Sequence, residues 1–102
     1  MKQLSNLQKK ILLIALNDKN KQYQVEAWQV LNRVYGFPLS GKGQIRFNRR
    51  KIGIKRYLAA TASVCKSLNR LELRGLGERE PRAGLFLNKK GVVMARKVKE
   101  AG

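Results

Sequence analysis

Hydrophobic positions recur along this chain at helical spacing in four places, and the polar breaks between them set the order of elements. Leu4, Leu7, Ile11 and Ile14 follow one another at intervals of three and four, and Leu12, Ala15 and Leu16 widen the stripe. Ser5-x-x-Gln8 ahead of them has capping-box spacing, in which each side chain satisfies a free backbone N–H of the first turn. The pattern predicts an amphipathic helix ending near Asn17 or Asp18, followed by a polar loop over residues 18–22. A second helix is expected from Tyr23 to Tyr35. Ala27, Leu31 and Val34 mark one face, with Trp28 and Tyr35 as core residues beside it. Gly36 is placed to cap its C-terminus, and Pro38 stops it.

Residues 36–53 break every periodicity. Gly36, Pro38, Gly41, Gly43 and Gly53 are turn formers, 44–47 has the makings of a short strand, and Asn48-Arg49-Arg50-Lys51 is a basic knot. Eighteen residues without a helix is long for a compact domain and reads as a functional or mobile loop. The third helix is the longest, from Ile54 to Arg74. Tyr57, Thr61, Val64, Leu68 and Leu71 recur at four, three, four and three, Leu58, Ala62 and Cys65 lie alongside, and Gly75 follows as a cap. Two short extended runs around Pro81-x-x-Gly84 read as a β-hairpin. Asn88 then caps a last helix, Lys89 to Glu100, with Val92, Val93, Met94, Ala95 and Val98 on its apolar side. The expectation is one mainly helical domain, residues 1–102, with a small β-hairpin and no internal repeat.

Charge changes what this helical domain is for. The chain has 102 residues and a formal net charge of +17. From residue 27 to residue 71 there is no acidic side chain, while ten basic ones occur. A solvated face usually mixes both signs, because uncompensated like charges repel. Six to ten basic contacts suffice for strong, salt-sensitive binding to phosphates by counterion release. The apolar fraction of 43% argues against a disordered basic tail. The longest apolar run, Ile11 to Leu16, is far short of a membrane span, and no secretory leader is recognisable. The single cysteine, Cys65, allows no internal disulfide and reads as a small buried apolar residue rather than a redox sensor. A cytoplasmic location is expected, nucleoid-associated in a prokaryote or nuclear in a eukaryote. With no histidine and six scattered carboxylates, neither a metal site nor histidine-based catalysis is expected, and no cofactor is implied.

From Thr61 onward the order of motifs is Ser67-Leu68-x-x-Leu71-x-x-x-Gly75-Leu76, then Glu78-Arg79, then Leu85-x-Leu87-Asn88-x-x-Gly91. Over about 38 of the 102 residues this resembles the winged helix-turn-helix domain of MarR-type transcription regulators. The resemblance implies three helices, a wing and a C-terminal helix, with helix 54–74 entering the major groove of double-stranded DNA. It also implies a homodimer paired through the terminal helices. Residues 36–53 stand where that family has only a short turn.

The long helix supports DNA binding on its own pattern. With Tyr57, Thr61, Val64, Leu68 and Leu71 inward, the opposite face carries Ala59, Ala60, Ser63, Lys66, Ser67, Arg70 and Arg74. Small residues let a helix backbone approach base edges, and Lys66 and Arg70, one turn apart, can reach guanine or phosphate. The alternative is an ordinary solvated face. In the preceding segment Arg46, Arg49, Arg50, Lys51, Lys55 and Arg56 suit phosphates or the minor groove. Phe47 is expected to anchor the segment rather than stack on a base. Arg82, at the hairpin tip, is either a backbone contact or simply exposed. A transcription regulator or architectural factor is the leading expectation, and a winged-helix protein bound to structured RNA or the ribosome is the alternative. A dimer also follows from size. The Leu4–Leu7–Ile11–Ile14 stripe and Val92, Val93 and Val98 exceed what so small a domain is expected to bury, and surplus apolar surface marks an interface.

Overall fold

The computed structural model of the chain describes residues 3–40, 46–81 and 83–101. Five helices and a small three-stranded antiparallel sheet enclose one contiguous apolar core among these residues. The first helix, α1 (Asn6–Leu16), starts as its pattern predicts. Ser5 Oγ accepts from the Gln8 N–H at 3.1 Å, and Gln8 Oε1 accepts from the Ser5 N–H at 2.9 Å. Ile11, Leu12 and Ala15 are fully buried, and Leu4, Leu7, Ile14 and Leu16 pack on the core from its edges.

The second helix is shorter than its periodicity suggests. Tyr23 has φ +54°, a left-handed conformation that no helix start adopts. Residues Gln24–Val25 form β1, and α2 covers only Ala27–Arg33. Val30, absent from the expected stripe, is fully buried, whereas Trp28, expected in the core, is half-buried and donates its indole N–H to Glu26 at 2.7 Å.

The segment expected to be a loop is largely folded. Strand β2 (Leu39–Ser40) pairs antiparallel with β3 (Arg46–Phe47), and the basic knot is one helical turn, α3 (Arg49–Ile52). Helix α4 (Ile54–Leu73) follows at once. Gly53, at φ +102°, makes the break between the two helices that an L side chain would strain.

Strands β4 (Gly77–Glu80) and β5 (Gly84–Leu87) form the expected hairpin. The sheet order is β1-β5-β4, with Val25 opposite Leu85 and Glu78 opposite Phe86. Val25, Leu85 and Leu87 face the core, whereas Glu78 and Glu80 alternate outward.

Asn88 caps α5 (Lys89–Ala101) and ties it to the end of α4. Its Oδ1 accepts from the Gly91 N–H at 2.9 Å, its Nδ2 donates to the Gly75 carbonyl at 2.8 Å, and its own N–H donates to the Leu76 carbonyl at 3.1 Å. The helix sits so close that a Cβ on Gly91 would overlap the Leu76 carbonyl oxygen.

Helices α1 and α5 pack against each other within the chain. Val92 and Ala95 are buried, and Met94 and Val98 pack on the same core. The apolar stripes of the two terminal helices are therefore spent mostly on one another. Leu4, Leu7, Leu13, Ile14, Met94 and Val98 stay half-buried along their edges and Val93 is 51% exposed, so part of the apolar surface that argued for a dimer is still open.

Candidate nucleic-acid interface

The interface is built on an aromatic cluster that three separated segments supply. Phe37, only 2% exposed, follows α2, and its carbonyl accepts from Asn32 Nδ2 at 2.8 Å. Its ring lies 5.6 Å from Tyr35, 6.5 Å from Phe47 and 6.4 Å from Tyr57, and Phe47 and Tyr57 are 5.9 Å apart. Such pairs add about 0.5–1.5 kcal/mol each beyond the area they bury. They anchor the β2–β3 pair to the start of α4. Phe47 is thus turned inward, as expected of an anchor.

Two arginines lie on this cluster. The Arg49 guanidinium is 5.0 Å from the Tyr57 ring centroid, and that of Arg56 is 5.1 Å from Phe37. Stacking on a ring face holds a guanidinium in place while leaving its N–H edges for an anion. Asn48 caps α3, its Oδ1 accepting from the Lys51 N–H at 3.2 Å, so Arg49, Arg50 and Lys51 occupy successive positions of one helical turn. All three are exposed, as are Lys55 and Arg56 in the first turn of α4. Arg46 lies in β3, and its side chain, like Arg82 as a whole, is outside the described residues.

Along α4 the buried positions are Ala60, Val64, Ser67, Leu68 and Leu71. This face is rotated by roughly 40° from the one that periodicity suggests, at 100° per residue. Two residues assigned to the outer face, Ala60 at 5% exposure and Ser67 at 9%, face inward. Ser67 is therefore not available to a ligand. Small side chains there let the packed elements approach α4 closely, which apolar periodicity alone does not signal. Thr61 and Tyr57, expected to centre the core face, are only partly buried, Leu58 is 55% exposed and Cys65 is half-buried. The exposed face keeps Ala59, Ser63, Lys66 and Arg70, together with Lys55, and gains Ala62, expected beside the core stripe.

The hairpin is fixed beside the C-terminal half of α4. The Glu72 carboxylate accepts from the Arg79 N–H at 2.5 Å, and Arg79 Nη1 donates to Asn69 Oδ1 at 2.6 Å. Gln24 Nε2 donates to the Ala83 carbonyl at 2.6 Å and holds the other end. With Glu78 and Glu80 pointing outward, the outer face of this hairpin repels phosphate, so the basic face and the hairpin are electrostatically distinct.

Among the described residues no cluster of histidine, cysteine or carboxylate side chains could hold a metal ion, and no helix is long and apolar enough to cross a membrane. Compared with family models, with curated proteins and with solved structures, the chain matches none of them.

Proposed function

We propose that this chain is a winged helix-turn-helix protein that binds double-stranded DNA, as a transcription regulator or architectural factor. Helix α4 enters the major groove with Ser63, Lys66 and Arg70, and Arg49, Arg50, Lys51, Lys55 and Arg56 bind the flanking phosphates. The observation that carries this reading is the exposed, one-signed face formed by α3 and by α4 as far as Arg70. It presents seven cations, with no acidic residue anywhere from 27 to 71. Small residues Ala59, Ala62 and Ser63 leave room for base edges. The hairpin after α4 stands where a wing follows a recognition helix in the resembling family. Its acidic outer face restricts any DNA contact of the wing to its tip.

The RNA alternative is weakened at one point. Phe47, its candidate for stacking on an unpaired base, packs on Phe37 and Tyr57 instead. The DNA and RNA readings separate in one experiment. Binding is measured by fluorescence anisotropy to duplex DNA, single-stranded DNA and a structured RNA hairpin, at several salt concentrations from about 50 to 200 mM. Tighter binding to duplex DNA with a steep salt dependence supports the proposal. Tighter binding to the RNA hairpin at every salt concentration overturns it.

A further inference from the structure

We infer that a second basic face, a trough along α5 with an apolar floor, docks an acidic amphipathic helix from a partner protein. Two open grooves, of about 770 and 710 Å³, meet along α5 and share Arg74, Met94 and Lys97. Their floor is apolar: Leu4, Leu13, Leu76, Val93, Met94 and Val98. Their rim is cationic: Lys9, Lys10, Arg74, Lys89, Lys90 and Lys97. Among the described residues no carboxylate lines either groove. The trough follows the 13 residues of α5, about 20 Å at 1.5 Å per residue. That length matches three to four turns of a docked helix.

Charge chooses the occupant. A second copy of this chain placed on the trough by a twofold axis would set the six rim cations against another six, and like charges across an interface cost free energy. A phosphate backbone would satisfy the rim but leave the apolar floor in water. A helix with an apolar stripe and glutamates flanking it satisfies both, by the helix-in-groove mode. Along α4 the cations Lys55 and Arg56 lie nearly 30 Å from Arg74, whereas Arg70 is one turn, about 6 Å, from it, so the trough adjoins the C-terminal end of the proposed DNA face.

The test uses the whole chain and a fluorescein-labelled peptide of about 14 residues, long enough for the trough. The peptide carries leucines at i, i+3, i+4, i+7 and i+11 and glutamates flanking them. An isomer with the same composition but no stripe is the control for charge alone. The striped peptide is expected to bind about tenfold tighter than its isomer, since its leucines bury apolar surface on the floor. Val93→Asp should abolish that preference while leaving duplex DNA binding unchanged. Val93 is half-exposed, so the variant is expected to fold, and circular dichroism verifies it. Lys90→Glu with Lys97→Glu should weaken both peptides. Equal binding of the two peptides, no binding of either, or a preference that survives Val93→Asp overturns the inference. So does tighter, Val93-dependent binding to phosphatidylglycerol vesicles, or self-association that Val93→Asp abolishes. None of these outcomes bears on DNA binding, so the two readings fail separately.

Discussion

Replacing Arg49, Arg50 and Lys51 with alanine isolates the contribution of α3 to nucleic-acid binding. The three side chains are exposed and succeed one another on a single capped turn. If each neutralises one phosphate, each contributes about 0.9 to the slope of log K against log salt, so the triple variant loses about 2.7. Between about 50 and 200 mM salt, the wild-type protein should therefore lose about 40-fold more affinity than the variant. The fold should tolerate the change. The Arg49–Tyr57 stacking is worth about 0.5–1 kcal/mol, and alanine is a better helix former than the residues it replaces. The assay is anisotropy titration of duplex DNA at four salt concentrations, with chemical denaturation of each variant alongside. A control removes the same three charges elsewhere, Lys9, Lys10 and Lys89 to alanine. A slope that stays within one unit of wild type would refute contact by α3. A control that lowers the slope as much as the α3 variant would show that net charge, not position, drives the salt dependence.

Four further outcomes are expected. Gly91→Ala should destabilise the protein by about 1–3 kcal/mol in urea, because the added Cβ overlaps the Leu76 carbonyl; the gain of about 1 kcal/mol usual for this change within a helix would contradict that packing. Asn88→Ala should cost about 1–2 kcal/mol and Asn88→Ser roughly half as much, since serine keeps an acceptor for the Gly91 N–H and loses the bond to Gly75; equal losses in thermal melts would count against the cap. Arg70→Ala and Ser63→Ala should relax base preference in a selected-sequence profile by about 1–3 kcal/mol per lost contact, whereas Ser67→Ala should leave the profile unchanged; the reverse pattern would mean that the α4 face is misassigned. The free protein should melt at higher temperature as sodium chloride rises to about 0.5 M, because screening relieves repulsion on the acid-free face; a melting temperature that falls would show that this repulsion is unimportant.

Where a signal is local, the sequence predicts the structure well. Ser5 and Gln8 lie one turn apart, so their reciprocal cap is written in four residues, and the α1, α4 and α5 stripes extend over whole helices. The knot of Gly75, Leu76, Asn88 and Gly91 is legible through the resemblance, although its role is to hold α5 on the end of α4. What escapes is set by distant partners. A two-residue strand at Gln24–Val25 has no periodicity of its own; it exists because β5, sixty residues on, pairs with it. Likewise the β2–β3 pair and α3 lack apolar repeats, and they are held by Phe37, Phe47 and Tyr57 meeting in space. One signal there was available. Asn48 ahead of three good helix formers is an N-cap pattern, and it marks α3. The rotation of α4 was not available, because alanine and serine are neutral in an apolar count and become inward-facing only where other elements press close.

The placement of the few acids explains why the basic face is so complete. Asp18 accepts from the N–H groups of Asn20 and Gln24 at 3.2 Å, fixing the turn into β1. Glu26 takes the Trp28 indole, and Glu72 takes the Arg79 backbone N–H that joins the hairpin to α4. Three of the six carboxylates are thus committed to N–H groups of this chain, where an acceptor is needed whatever the ligand. Glu78 and Glu80 line the outer side of the hairpin, away from the core. The sixth, Glu100, lies in the last turn of α5, so none of these side chains is placed among Arg49, Arg50, Lys51, Lys55, Lys66 and Arg70 on the face they share. A domain whose purpose was stability alone would gain by setting some of these acids among the cations, since exposed pairs of opposite sign cost nothing and isolated like charges do. Keeping them apart leaves a standing repulsion that a bound polyanion removes, and free energy released in this way appears as affinity.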